Sequence, residues 1–197
     1  MTVVDWPVEL RGVTESIVTT EGPNGRWNAA ALGLHADANT DSGVEHDIRA
    51  RTWGRTRTWR NFRERGGGYV QFTRDPVDFV DAALAVREED DPVLNGVDAW
   101  ARVEVRRLER GESGGTQFVD WALTPIESVV ERQAVPTTNR GYGAVVEATV
   151  AASRLGVDSY DSATLRDRLD YFEEVALKCG GPREREAINR IRDLVDR

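Results

Sequence analysis

The amino-acid sequence predicts an α+β protein, in which an antiparallel β-barrel precedes a lobe of helices. Two observations lead to this fold class. Five or six short strand patterns occupy the first two thirds of the 197-residue chain, and long helices do not alternate with them. The last third instead has apolar residues at helical spacing. We expect a barrel domain at residues 1–135 and a three-helix lobe at residues 136–197.

The first two strands are predicted to form a β-hairpin. Residues 15–20 (ESIVTT) and 28–35 (NAAALGLH) are separated by a Gly-Pro-Asn-Gly turn at residues 22–25. Small residues recur in the second strand: Ala29, Ala30, Ala31 and Gly33. Small side chains suit a flat ligand that approaches the backbone closely, or a bulky element packed on the strand.

The loop that follows, residues 36–43, is predicted to be a polar hairpin loop. Asp37, Asn39 and Asp41 alternate along it as in a calcium loop. Its glycine comes one position late, however, and Ile48 stands where a bidentate glutamate is needed. His35 and His46 flank the loop without a nearby cysteine. We expect no metal site.

The most distinctive stretch is residues 49–65, predicted as a strand end, a turn and a short helix. It has seven arginines and one acid, Glu64, for a net charge of +6 in a chain of −8. Thr56 and Thr58 can cap a helix, whose first N–H groups and positive dipole end then point outward. With Arg57 they form a candidate phosphate site. A capped helix with a solvated basic face explains the same pattern.

The remaining elements follow from local patterns. In chain order they are a strand at 69–73, a helix at 77–86, an exposed acidic loop at 87–92, a strand at 99–108, a turn at 111–115 and a strand at 118–123. Helices are predicted at 140–155, at 164–178 and from Pro182 onward, with stops at Gly156 and Gly180.

Composition restricts the function classes. A net charge of −8 disfavours a general nucleic-acid or anionic-membrane binder. The single cysteine, Cys179, cannot form an internal disulfide, and no stretch approaches about 18 apolar residues. The N-terminal residues do not resemble a signal peptide. We expect a cytoplasmic protein, and the 25 arginines beside one lysine suggest a salt-loving source.

Motifs of familiar catalytic sites are missing from the sequence. It has no Gly-x-Ser-x-Gly, no Walker loop and no Gly-x-Gly-x-x-Gly between a strand and a helix. If the protein is an enzyme, we expect a bound cofactor to supply the chemistry.

Several longer motifs together resemble an archaeal family, domain of unknown function 447. They are ESIVTT with its Pro-Asn-Gly turn and NAAALGL, then GRTRTWRNFRERGGGYVQFTRDPVDFVDAAL, and finally RGYGAVVEATVAASRLG and ALKCGG. The resemblance covers nearly the whole chain. It implies an FMN-binding split barrel, similar to flavin reductases and pyridoxamine-phosphate oxidases, with added helices. It also implies a homodimer with flavin near the subunit interface. Ala31 departs from the family pattern, in which proline is frequent.

The resemblance also implies which residues bind FMN. Those matching the phosphate-binding turn are Thr56, Arg57, Thr58 and Asn61. Those matching the strand whose backbone faces the isoalloxazine are Asn28, Ala29, Ala30, Leu32 and Gly33. Thr73, on the next strand, is a further neighbour. No catalytic residue is assigned.

We therefore expect an FMN-dependent oxidoreductase or flavin reductase, with a small-molecule substrate or NAD(P)H as a possible partner. A non-catalytic flavin carrier or sensor is one alternative. Another is an RNA-binding module that uses residues 49–65 with Trp53, Trp59 and Phe62 as stacking surfaces. FMN is favoured over FAD by the single phosphate turn. Pyridoxal phosphate is disfavoured because the only lysine, Lys178, lies near a predicted helix end.

Overall fold

A computed structural model describes residues 4–36 and 48–195. The strands are β1 Gly12–Glu21, β2 Trp27–Ala36, β3 Ile48–Trp53, β4 Gly67–Phe72, β5 Arg87–Glu89, β6 Ala99–Ser113 and β7 Thr116–Val130. The helices are α1 Arg57–Arg65, α2 Pro76–Leu84, α3 Arg140–Ser153, α4 Ser162–Cys179 and α5 Pro182–Val195. The predicted loop at 36–43 lies outside the described residues, apart from Ala36 at the end of β2, and so does His46.

The chain divides into two compact units. One comprises Met1–Thr73 and Glu88–Gln133, and the other comprises Arg74–Arg87 and Ala134–Arg197. This grouping differs in one respect from a single division between residues 135 and 136. The helix α2, which lies between barrel strands in the sequence, belongs with the C-terminal helices.

The first unit is a closed antiparallel barrel, as the sequence predicts. Its strand order is β1-β4-β6-β7-β3-β2, and β2 pairs back with β1 to close the ring. The short strand β5 also joins the sheet beside β2. Alternate side chains fill the interior, among them Val18, Leu32, Val70 and Trp121. The predicted hairpin is confirmed, with Val18 opposite Ala30 and Thr20 opposite Asn28.

The outer face of β1 and β4 is covered by the segment that follows β5. Thr19 and Gln71 are fully buried on this face. The Thr19 hydroxyl donates to the Pro92 carbonyl, and the Gln71 amide donates to the same oxygen at 3.0 Å. The Leu94 N–H donates to Gln71 Oε1 at 2.7 Å. These bonds satisfy two polar side chains that would otherwise be costly to bury.

The prediction of an exposed acidic loop at residues 87–92 is wrong for its first half. Residues 87–89 form β5 and are half-buried. Arg87 pairs with Asp78 at 2.9 Å, and Glu88 pairs with Arg57 at 3.1 Å. A run of charged residues suggests solvent exposure. The run is partly buried because arginines that are distant in the sequence neutralise some of its charges.

The β6–β7 hairpin is longer than predicted, with 15 residues in each strand. The reversal occurs at Gly114 and Gly115, whose φ angles of 56° and 76° favour glycine. Gly111, predicted to begin the turn, is still within β6. A Cβ atom there would lie 2.5 Å from the Phe118 ring, so glycine is needed for packing rather than for turning.

The second unit contains the three predicted C-terminal helices together with α2. Its core is formed by small and branched side chains, including Val80, Val145, Ala148 and Ile188. None of the helices in the described ranges is both long and apolar enough to span a membrane.

Capping and ion pairs fix the ends of these helices. Asn139 and Asp161 cap α3 and α4, and hydrogen bonds from Thr164 and Ala163 lower the pKa of Asp161. This cap therefore stabilises α4 above the unfolded-state pKa, and its contribution is lost as the pH falls through the folded-state value. Arg183 pairs with Asp75 beside α2.

Candidate functional site

The start of α1 has the geometry of an anion site. Thr56 is the N-cap, and its hydroxyl accepts the Trp59 N–H at 3.2 Å. Its carbonyl accepts the Arg60 N–H at 3.1 Å. Within the described chain, the N–H groups of Arg57 and Thr58 have no hydrogen-bond acceptor. Two free donors at the positive end of a helix dipole are suited to a phosphate group.

The inner face of α1 is fastened to the barrel by a buried amide. Asn61 is 1% exposed, and its Nδ2 donates to the Thr20 hydroxyl at 3.0 Å and to the Thr20 carbonyl at 3.3 Å. Phe62, also 1% exposed, packs edge-on against Trp121 at a ring separation of 5.5 Å. Asn61 thus positions the helix, because both hydrogen bonds from its Nδ2 join α1 to β1.

Three glycines let β4 follow α1 without a wide loop. Gly66 caps the helix in the left-handed conformation, with φ of 74°. A Cβ atom at Gly67 would lie 2.4 Å from the Val103 carbonyl oxygen. One at Gly68 would lie 2.6 Å from the Thr19 carbonyl oxygen. The close contact of these backbones holds the helix beside β1.

The small-residue half of β2 lies where the barrel is split. Strand β1 occupies one edge of β2 along its full length, so β3 and β5 share the other edge. In the described residues, β3 pairs with β2 only at Leu34 and His35. The ladder to β3 therefore stops before residues 28–33, and α1 contacts both strands. Along this half, Ala30 and Leu32 point into the core, which places Ala29, Ala31 and Gly33 on the outer face.

The structure brings most of the predicted site residues together. Thr20 pairs with Asn28 and also holds Asn61, so the Asn28 end of β2 lies beside α1. Thr58 is buried in the same region, whereas Thr56 and Arg57 are exposed. Thr73 stands apart from this group. It follows β4 at the end opposite to α1, and so lies towards the Gly33 end of the hairpin.

Glu88 is a site residue that the sequence reasoning missed. Its Oε1 lies 3.1 Å from Arg57 Nη1, and its Oε2 accepts from Asn24 at 3.3 Å. Its carbonyl accepts from Arg26 Nη2 at 2.9 Å. Glu88 therefore competes for one guanidinium nitrogen of Arg57 and leaves the other donors available. The acidic run after α2 was the available signal, since it could neutralise the basic run at 49–65.

The basic segment does not act as a uniform field. Arg51 forms a bidentate pair with Asp120, at 2.6 and 2.7 Å, and lies 3.8 Å from the centre of the Phe118 ring. The hydrogen bond with Asp120 raises the pKa of Arg51, although burial partly opposes this shift. Arg51 is therefore held by Asp120 and is not available to the anion site, where Arg57 lies at the helix start.

Comparison with known families identifies the chain. The model described as protein of unknown function (DUF447), N-terminal domain, matches residues 14–132, and a second DUF447 model matches residues 139–193. The chain belongs to the DUF447 family. This confirms the resemblance seen in the sequence motifs.

One solved structure of the same family supports the split-barrel fold, and two others are more distantly similar. An FMN-bound DUF447 protein from Methanosarcina mazei has 23% identity and a TM-score of 0.76, over 94% of this chain and 96% of that one. The styrene monooxygenase flavin reductase from Pseudomonas putida S12 has 12% identity and a TM-score of 0.42, over 64% and 93%. An FMN-binding protein from Thermus thermophilus has 12% identity and a TM-score of 0.44, over 66% and 81%. The predicted fold class is confirmed.

Replacing Asn61 with alanine should lower the free energy of unfolding of the barrel by about 1–3 kcal/mol, because Thr20 loses its buried donor. Urea unfolding followed by tryptophan fluorescence measures this directly, since all six tryptophans are in the barrel unit. Arg60→Ala, on the exposed side of the same helix, should change stability by about 0.5 kcal/mol or less. Equal losses in the two variants would show that the Asn61–Thr20 contact does not fasten α1.

Proposed function

We propose that this DUF447 protein binds FMN and acts as an FMN-dependent oxidoreductase or flavin reductase. The observation that carries the proposal is the meeting of two features at one place. The start of α1, with Thr56, Arg57 and Thr58, offers donors to a phosphate. The split edge of β2 at residues 28–33 offers small side chains beside it. FMN combines a phosphate dianion with a flat ring, and the Methanosarcina protein of the same family is FMN-bound.

The phosphate is proposed to accept hydrogen bonds from the Arg57 and Thr58 N–H groups, the Thr56 hydroxyl and the Arg57 guanidinium. Asn61 contributes by fixing the helix rather than by direct contact, since its amide donates to Thr20. A site built around one helix start serves one phosphate. This favours FMN over FAD, whose pyrophosphate needs a longer cradle.

The isoalloxazine is proposed to lie along residues 28–33, where β3 does not pair with β2. The short strand β5 shares this edge of β2, so the backbone N–H and C=O groups that β5 leaves unpaired are the ones that can bond the polar rim of the ring. Residues such as Ala29 and Gly33 would let the ring approach the strand. Bound flavin supplies the redox chemistry, and the protein binds, orients and shields it. Thr73 is proposed only as a neighbour of the Gly33 end.

We also propose a homodimer in which flavin lies near the subunit interface. Its support is that several large apolar side chains of the barrel are exposed, among them Val13 at 59%, Val130 at 49% and Trp53 at 43%. Light scattering at micromolar concentration should give twice the chain mass of 22.0 kDa. A monomer that keeps its flavin would contradict the dimer and leave the FMN proposal standing.

Protein made in a flavin-replete host should be yellow and should release FMN on denaturation, identified by absorbance and mass spectrometry. The holoprotein should oxidise NADH or NADPH in the presence of excess FMN. FMN binding without any such oxidation would favour a flavin carrier or sensor. Failure to bind FMN after reconstitution would refute the proposed function.

Arg57→Ala should weaken FMN binding by about one to two orders of magnitude, because a charge-assisted hydrogen bond is worth about 1.5–3 kcal/mol. Riboflavin lacks the phosphate, so its weaker binding should barely change. Flavin fluorescence titration with both ligands makes the comparison. If riboflavin binding falls as much as FMN binding, Arg57 supports the ring or the fold rather than the phosphate.

Two controls separate local contacts from the general field. Arg102→Ala removes an exposed positive charge from β6 and should alter neither titration.

Glu88→Gln removes the carboxylate that competes for Arg57, and should raise FMN affinity by up to about fivefold. Asp91→Asn removes a nearby negative charge without touching Arg57 in the described structure. An equal gain in both acid variants would mean that only net charge matters.

A further inference from the structure

A second cleft opens on the other flank of α1, away from Arg57. It lies between α1 and the β6–β7 hairpin and has a volume of about 710 Å³. Neither residues 28–33 nor Thr56, Arg57 and Thr58 line it. The volume is within the range of about 300–1,000 Å³ that is typical of small-molecule sites. All lining residues belong to the barrel unit.

The cleft is strongly basic in an acidic protein. Five arginines line it against one acid, Glu64. The guanidinium groups of three of these, Arg55, Arg60 and Arg107, form no ion pair or hydrogen bond with any described residue. The chain has 34 acids, and several of them neutralise arginines elsewhere, as Asp120 does for Arg51. Uncompensated positive charge inside a concave surface favours an anionic ligand.

A β-bulge in β6 concentrates this charge. The pairing register shifts between Arg107 and Glu109, because Leu108 is an extra residue in the strand. In a regular strand, Val105, Arg107 and Glu109 would share one face. The bulge instead brings Arg110 into the cleft with Val105 and Arg107. Glu109 lies opposite Asp120 in the strand register, on the other face. An acid is thereby replaced by a base at the cleft wall.

Aromatic side chains form the rest of the wall and the floor. Trp59 is half-buried beside the cleft, and the Arg63 guanidinium lies 5.4 Å from its ring centre. Phe62 and Trp121 lie beneath it, with the Trp121 indole N–H bonded to Thr52 at 2.9 Å. Exposed aromatic faces stack planar rings, and neighbouring arginines strengthen such stacking.

We propose that this cleft binds a nucleotide, in which a planar base stacks on Trp59 while two or more phosphate charges contact Arg60, Arg107 and Arg110. The site is separate from the proposed flavin site and does not depend on it. A mononucleotide diphosphate and a dinucleotide present the same chemistry to the cleft. An extended RNA is a weaker match, because the cleft is local and the whole chain carries −8.

The test uses isothermal titration calorimetry on the FMN-loaded protein at low salt. The probes are ADP, NADP⁺, pyrophosphate and adenosine. ADP or NADP⁺ should bind at least about tenfold more tightly than pyrophosphate or adenosine, since only they combine ring and charge. Arg107→Gln/Arg110→Gln should weaken this binding about 10- to 100-fold, because two charge-assisted contacts are lost. Whichever of ADP and NADP⁺ binds more tightly shows whether the cleft prefers a mononucleotide diphosphate or a dinucleotide.

The matched control is Arg102→Gln/Arg106→Gln, which removes the same charge from the same strand outside the cleft. Its nucleotide affinity should stay within about twofold of the parent. An equal loss in both double variants would reduce the effect to a diffuse field and overturn the proposal. Tighter binding of an RNA decamer, with the same sensitivity to Arg107 and Arg110, would overturn it in favour of an RNA surface.

Flavin binding is followed in the same samples. Arg57→Ala should lower FMN affinity and leave ADP binding unchanged, whereas Arg107→Gln/Arg110→Gln should do the reverse. Stoichiometric release of FMN by ADP, or loss of FMN in the double variant, would show that the cleft is itself the flavin site. A protein that binds ADP but no FMN would refute the flavin proposal alone.

Discussion

Both proposed binding surfaces depend on the buried hydrogen bonds from Asn61 to Thr20. The helix α1 has only 9 residues, and an isolated helix of that length is not stable in water. Its position is therefore set by what its inner face contacts. Asn61 ties it to the end of β1, and Phe62 inserts into the barrel core. These contacts fix the position of α1. They therefore also fix the direction of the free N–H groups at the helix start.

One short helix then serves two different surfaces. Arg57 leaves the helix towards Glu88 and the split edge of β2, whereas Arg60 and Arg63 leave it towards the β6–β7 hairpin. Since successive helical residues are about 100° apart, Arg60 is turned only about 60° from Arg57 around the helix axis, whereas Arg63 is turned about 120° from it. The proposed flavin and nucleotide sites can therefore share a scaffold without sharing ligands. Their common scaffold is rigid because the glycines at 66–68 pack its C-terminal end directly onto β4 and β1.

Local chemistry could be predicted from the sequence, and contacts between distant residues could not. The Asn-Gly turn, the Thr56 cap and the helix stop at Gly180 depend on neighbouring residues, and the sequence predicts them correctly, whereas α3 ends at Ser153, before the predicted stop at Gly156. Glu88 pairs with a residue 31 positions away, and its role depends on β5 lying beside β2. The alternation of apolar and charged residues in β6 breaks at Arg106 and Arg107, beside the bulge at Leu108, but this break alone does not predict which arginines line the cleft. Resemblance to the DUF447 family supplied the fold where the periodicity of residues left several barrels possible.

The distribution of charge decides which polyanions suit this protein. Arg51 is neutralised by Asp120 and Arg57 is partly neutralised by Glu88, while Arg55, Arg60 and Arg107 are not paired within the described chain. At physiological salt, screening limits the range over which an exposed charge acts to about 8 Å. A small phosphorylated molecule lying inside the cleft meets only these arginines. A long nucleic acid would extend beyond them onto a surface that must carry the remaining acids of a −8 chain. We therefore expect the same total composition to favour compact polyanions over extended ones.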